Sequence, residues 1–184
     1  ELGVTTTASA LRWLRTLVGL GPGQTVLLDR DAAESPPGAR GLLVFPFFMG
    51  ARSTRWNPDA RGMILGLSLG HTRGDVARAF LEGVGYEVAT CLDGLRDMGI
   101  VPGELVVIGG GAKSDIWAQI KADILGMPVA RLRYTEAASL GAAVLAAVAI
   151  GLVTDPVATA RAWNPPVRIF TPNPEIAAVY RERR

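Results

Sequence analysis

The chain of 184 residues reads as an α/β protein. Three observations predict that class. Short β-branched runs alternate with helical segments through the second half. A long helix-periodic stretch follows Thr72. Apolar residues make up 49% of the chain and charged residues 20%, the balance of a folded domain with one core. That composition excludes a disordered, collagen-like or disulfide-stapled protein. Arginine and lysine number 19 against 17 acidic residues, a formal net charge of +2. Without a clustered basic excess, no nucleic-acid surface is expected. Only Lys113 and Lys121 are lysine, and the Arg- and Ala-rich usage reads as compositional bias. Cys91 is the single cysteine, which excludes an internal disulfide or a Cys-based zinc cluster and fits a reducing cytoplasm.

Taken in order, the chain opens Glu1-Leu2-Gly3-Val4 with no methionine and no signal-peptide pattern, so a fragment is expected. Residues 8–20 carry apolar Leu11, Trp13, Leu14 and Val18 with Arg12 and Arg15 between them, a helix pattern that the glycines from Gly19 to Gly23 stop. The Ser-, Pro- and Gly-rich stretch 31–41 reads as a loop. Residues 41–45 form a short apolar strand before Pro46. A polar turn follows over 51–62, with Trp56, Asn57, Pro58, Asp59 and Arg61, where Asp59 can pair with Arg61. An apolar run of strand length resumes over 63–69.

Thr72 and Asp75, three apart, form an approximate capping box for the long helix. Val76, Phe80, Val84, Val88, Cys91, Leu92 and Leu95 define its apolar stripe, and Arg78 and Glu82 form an i,i+4 pair on another face. Gly83 and Gly85 inside it each cost about 1 kcal/mol relative to Ala, which points to close packing there. His71, the only histidine, ends the preceding strand and excludes a His cluster or a Ser-His-Asp triad within the chain. A strand over 104–108 leads into Gly109-Gly110-Gly111-Ala112, and Ser114 or Asp115 caps a helix to Leu125. A strand over 129–132 follows, then a helix opened by Glu136 or Ser139. The uncharged stretch 137–153 is Ala- and Gly-rich and short of a membrane span, so a buried core helix lying close to the sheet is expected, and no membrane partner. Residues 156–173 read as irregular, and 174–184 as a terminal helix with a basic end.

The strand, glycine turn and helix carry the chemistry. Glycines allow close backbone approach, and a helix start offers unpaired N–H groups to an anion. A Walker A loop would need glycines at Val107 and Ala112, and a dinucleotide fingerprint would need one at Ser114. Neither pattern is met. Gly109-Gly110-Gly111-Ala112-Lys113-Ser114, with Trp117 and then Ala122-Asp123-Ile124-Leu125-Gly126-Met127-Pro128-Val129, resembles the nucleotide segment of the FGGY carbohydrate kinases. Gly62-Met63-Ile64-Leu65-Gly66-Leu67, then Asp75-Val76 and Ala79-Phe80-Leu81-Glu82, is similar to that family's second signature, with Phe80 where a smaller residue is usual. Glu136-Ala137-Ala138-Ser139-Leu140-Gly141-Ala142-Ala143 looks like its adenosine-side helix, where Glu136 faces adenosine or simply favours the helix start. The three blocks follow in order between residues 8 and 151.

The resemblance implies a ribonuclease-H-like lobe of the actin/hexokinase superfamily, a mixed sheet flanked by helices. Residues 1–184 would form the C-terminal nucleotide-binding lobe, without the N-terminal sugar-binding lobe. It implies ATP and Mg²⁺ as cofactors, with Gly109, Gly110, Gly111 and Ala112 close to the phosphates and ribose. Arg12 stands at an adenine-side polar position, and Ala8 replaces a common glycine. Asp115 stands where some relatives carry Asn, directed to ribose or to capping. The resemblance is nearest the xylulokinase branch. It implies transfer of the γ-phosphoryl of Mg-ATP to a sugar hydroxyl, with D-xylulose or a related ketose as acceptor. The sugar contacts and the catalytic Asp base are expected in the absent lobe, so the chain alone is expected to lack kinase activity. No metal cluster is expected within the chain, and there is room for a homodimer. The alternative is a non-catalytic nucleotide-binding or assembly module of the same fold.

Overall fold

A computed structural model of the chain describes residues 7–52 and 55–183. Ser53 and Thr54 of the predicted turn, and Arg184 at the end of the predicted terminal helix, lie outside them. The first helix, α1 (Ala8–Leu17), buries Ala10, Leu11 and Leu14. A second helix, α2 (Thr25–Glu34), runs into the stretch read as a loop, which starts only at Ser35. Its sole deeply buried residues are Leu28 and Ala32, too few to show a periodic stripe in the sequence. Strands β1 (Leu43–Phe45) and β2 (Met63–Leu65) pair antiparallel, with Val44 opposite Ile64.

The long helix α3 (Arg73–Asp97) is the centre of the molecule. Its capping box is present as expected: Asp75 N–H donates to Thr72 Oγ1 at 3.3 Å, and Thr72 N–H donates to Asp75 Oδ2 at 2.8 Å. Gly83 and Gly85 do mark close packing. A Cβ on Gly83 would overlap the Val44 carbonyl of β1, and one on Gly85 would stand 2.6 Å from Ile124 Cδ1. Phe80 lies between Trp13 of α1 and Phe48, its ring stacked on Phe48 at 5.5 Å.

The i,i+4 pair of α3 is buried rather than solvated. Arg78 Nε donates to Glu82 Oε1 at 2.8 Å, and both side chains are more than nine-tenths enclosed. The arginine fork also reaches the Ser35 carbonyl (2.9 Å) and the Tyr180 hydroxyl (2.8 Å), and that hydroxyl donates to Glu82 Oε1 at 2.8 Å. Gly38 N–H reaches the same carboxylate oxygen. α2 and the chain's last helix wall in this part of α3, so the pair must satisfy itself internally.

After α3 come β3 (Leu105–Val107), α4 (Asp115–Leu125), β4 (Val129–Leu132), α5 (Ala137–Ala149), α6 (Pro156–Trp163), β5 (Pro166–Phe170) and α7 (Pro174–Glu182). The sheet order is β3-β4-β5, with β3 parallel and β5 antiparallel to β4, a mixed sheet with α4 against it. The stretch read as irregular thus holds both α6 and β5. Asp155 caps α6 through Val157 and Ala158 N–H, with Pro156 pre-set for the first helical position. The helix expected to be buried against the sheet is mostly exposed. Only Val144 and Ala147 of α5 are buried, and its main neighbour is α6. No described helix is long and apolar enough to cross a membrane.

Candidate functional site

The glycine turn is bolted to the core from both ends. Gly109 leaves β3 with φ 73° and ψ −167°, a backbone conformation that side chains oppose, and its N–H donates to Thr135 O at 2.7 Å. Residues Gly110–Lys113 then make a 3₁₀ turn. Gly111 packs against the Trp117 ring so closely that a Cβ would stand 2.7 Å from it. Trp117 in turn donates its indole N–H to Leu81 O of α3 at 3.2 Å. Ser114, not Asp115, caps α4, its hydroxyl oxygen accepting from Trp117 N–H at 3.2 Å. Above Gly109 and Gly110 a Cβ would meet nothing within 4 Å, so these two backbones face open space.

That space is a cleft of about 420 Å³ between the turn and the paired helices α1 and α2, lined by Ala8, Leu11, Arg12, Val26, Asp29, Gly110, Gly111, Lys113, Ser114 and Trp117 among others. Four residues singled out from the sequence, Ala8, Arg12, Gly110 and Gly111, therefore meet although about a hundred positions separate them. An adjoining cavity of about 350 Å³ adds Gly109, Ala112 and Lys121 to the lining. Asp115 lines neither space. Its carboxylate is held by Arg131 at 2.5 Å and by Arg168, on the surface of β4 and β5. Both arginines also stand over the Phe170 ring.

Sequence reading did not single out Asp29, Val26 or Lys121 for this site. The first two sit on α2, a helix with no clear pattern. Lys121 falls on the α4 face that turns inward, a signal available only once Trp117 is seen to be buried. Burial raises the Asp29 carboxyl above its ordinary value, Asp115 adds to the rise, and a hydrogen bond with Ser114 opposes it. Burial alone pushes the Lys121 amine down to about 7, and its ammonium lies 3.7 Å above the Trp117 ring.

A separate hollow of about 370 Å³ lies over Asp31, Ser35, Arg40 and Asp75. Asp31 is matched to Arg73, and Asp75 to Ser35, Thr72 and Arg40, bonds that join α2 to the start of α3. Burial works to raise the Asp75 carboxyl, but those partners outweigh it and hold it below its ordinary value. His71 accepts from Ser68 N–H at 2.9 Å, a turn-fixing role in line with the sequence reading. Arg61 donates to the Pro58 and Ala60 carbonyls, and no Asp59–Arg61 ion pair forms. Glu136 stands at the N-cap of α5 without a side-chain capping bond. No group of three or more His, Cys, Asp or Glu side chains among the described residues could hold a metal.

The cleft thus offers amides at a glycine turn, basic side chains from Arg12 and Lys113, an apolar wall from Leu11 and Val26, and one carboxylate. Such a set suits a molecule with an anionic end and a flat apolar end. The chain is 41% identical over 154 residues to a glycerol kinase of Koribacter versatilis, covering 83% of this chain and 30% of that protein. It is 35% identical over 182 residues to a xylulose kinase of Staphylococcus epidermidis, covering 98% of this chain and 36% of that one. The solved xylulose kinase from Rhodospirillum rubrum superposes with a TM-score of 0.81 at 36% identity, over 96% of this chain and 36% of its own. The chain therefore spans about a third of the length of the relatives it matches, and its fold is that of the actin/hexokinase superfamily. The model of the C-terminal domain of the FGGY family of carbohydrate kinases matches residues 1–150, and the chain belongs to that family.

Proposed function

We propose that residues 1–184 form the ATP-binding lobe of a kinase that transfers the γ-phosphoryl of Mg-ATP to a hydroxyl of D-xylulose or a related ketose. The observation that carries this reading is the single cleft in which Ala8, Arg12, Gly110 and Gly111 meet. Gly109 and Gly110 leave room for phosphate oxygens against bare backbone, and Arg12 and Lys113 offset negative charge. Leu11 and Val26 give the base an apolar wall. Mg²⁺ enters with the nucleotide, whose phosphates supply its oxygen ligands and whose negative charge it neutralises.

The residue that takes the proton of the sugar hydroxyl lies outside this chain. Of the carboxylates near the turn, Asp115 is engaged by Arg131 and Arg168, and Asp29 lines the cleft beside Ser114 at the nucleotide turn. Calorimetry on the chain is the direct test: ATP binds and NAD does not, and the chain alone phosphorylates no D-xylulose. Binding of NAD in preference to ATP would overturn the reading. Relatives named for glycerol, xylulose and gluconate all resemble this chain, so a panel of those acceptors on a protein carrying both lobes decides the substrate.

A further inference from the structure

The cleft contains one acidic side chain that the kinase reading leaves without a task. Helix α2 presents Val26 and Asp29 on one face, three residues apart, and both line the cleft opposite Ala8, Leu11 and Arg12 of α1. Ser114, the residue that follows the glycine turn, shares the cleft wall with Asp29 and acts on its carboxyl as a hydrogen-bonding group. A carboxylate can accept about four hydrogen bonds. No other partner of Asp29 is found among the described residues, so the rest of its acceptor capacity faces the cleft.

A half-buried carboxylate repels phosphate and calls for a neutral donor. Asp29 lines the cleft beside Ser114, next to the turn, and the apolar Leu11 and Val26 are left for the base. The donors at that point of a nucleotide are the ribose hydroxyls. We propose that Asp29 reads the ribose: it accepts a hydrogen bond from a ribose hydroxyl and makes the cleft selective for ribonucleotides over deoxyribonucleotides. The proposal rests on the nucleotide reading above.

Calorimetry with ATP, 2′-deoxy-ATP and 3′-deoxy-ATP tests it, on the unaltered chain and on Asp29→Ala, Asp29→Asn and Ser114→Ala. The unaltered chain prefers ATP to at least one deoxy analogue by about tenfold, the worth of one hydrogen bond to a charged group. In Asp29→Ala that preference disappears. Asp29→Asn, which keeps the shape and one acceptor, shows an intermediate ratio and guards against misfolding. Ser114→Ala weakens the helix cap but retains the preference. Equal weakening of all three ligands by Asp29→Ala, with the ratio unchanged, would show that Asp29 only orders Ser114 and would overturn the proposal. No discrimination by the unaltered chain also overturns it. So does a variant that loses preference for ATP over ITP instead, since the carboxylate would then read the base. Failure of the unaltered chain to bind any nucleotide is a different result, and it removes the nucleotide reading itself along with the proposal.

Discussion

Charged side chains are treated in opposite ways on the two sides of α3. Toward α2 and α7, Arg78, Glu82 and Asp75 are deeply buried and tied into hydrogen bonds, with only Glu82 Oε2 lacking a partner. Toward the glycine turn, Arg12 and Lys113 have no ion-pair partner among the described residues, and Lys121 rests on an indole ring. The first arrangement spends its charges on the fold. The second leaves them available, and it is the one that adjoins open space. Paired charge therefore marks where this protein is held together, and unpaired charge marks where a ligand is expected.

Four substitutions sharpen that contrast. Arg78→Ala strands Glu82 in the interior and should destabilise the chain most, by about 3–5 kcal/mol in urea unfolding. A loss below about 1 kcal/mol would mean that water reaches the pair and the hub is not closed. Gly83→Ala forces a methyl group against the Val44 carbonyl, with an expected loss of about 1–3 kcal/mol by the same measurement.

On the cleft side the signs change. The Lys121 amine titrates near 7 when folded and near 10.4 when unfolded, so between these values the unfolded chain binds more protons and stability rises with pH. Lys121→Met removes that titration. It should flatten the rise between pH 7 and pH 10 and stabilise the chain at pH 7 by about 1 kcal/mol, as apolar replacement of an unpaired buried charge does. Thermal melts across that range check it, and an unchanged slope would assign the pH dependence elsewhere. The smallest stability effect is expected from Gly110→Ala, within about 0.5 kcal/mol, because its methyl group meets nothing. That same methyl group enters the space assigned to the nucleotide, so ATP affinity should fall while the melt stays put. Stability and binding thus separate on one side of α3 and not on the other.

What could be read from the residues alone follows the reach of the interactions. The capping box of α3, the glycine close approaches and the Ser114 cap involve neighbours within a few positions or a missing side chain, and local patterns announce them. β5 escaped because Val167 and Ile169 are exposed and the strand is defined by pairing with β4, some 40 residues earlier. α2 escaped because two buried residues make no stripe, and with it went Asp29, half of the cleft wall. The Arg78–Glu82 spacing was plain in the sequence, but its burial depends on Tyr180, 102 positions from Arg78. α5 was misjudged in the other direction. Its apolar composition says that it suits an interior, and the elements present give it only α6 to lean on.

The Tyr180 contact also couples two parts of the fold, α7 and the buried pair of α3. Before α7 is in place, Arg78 and Glu82 still hold each other but lack the Tyr180 hydroxyl that bonds to both. Without α7, closing the interior means enclosing a charge pair that lacks one of its hydrogen-bond partners. Docking of α7 and enclosure of the charge pair are therefore one step.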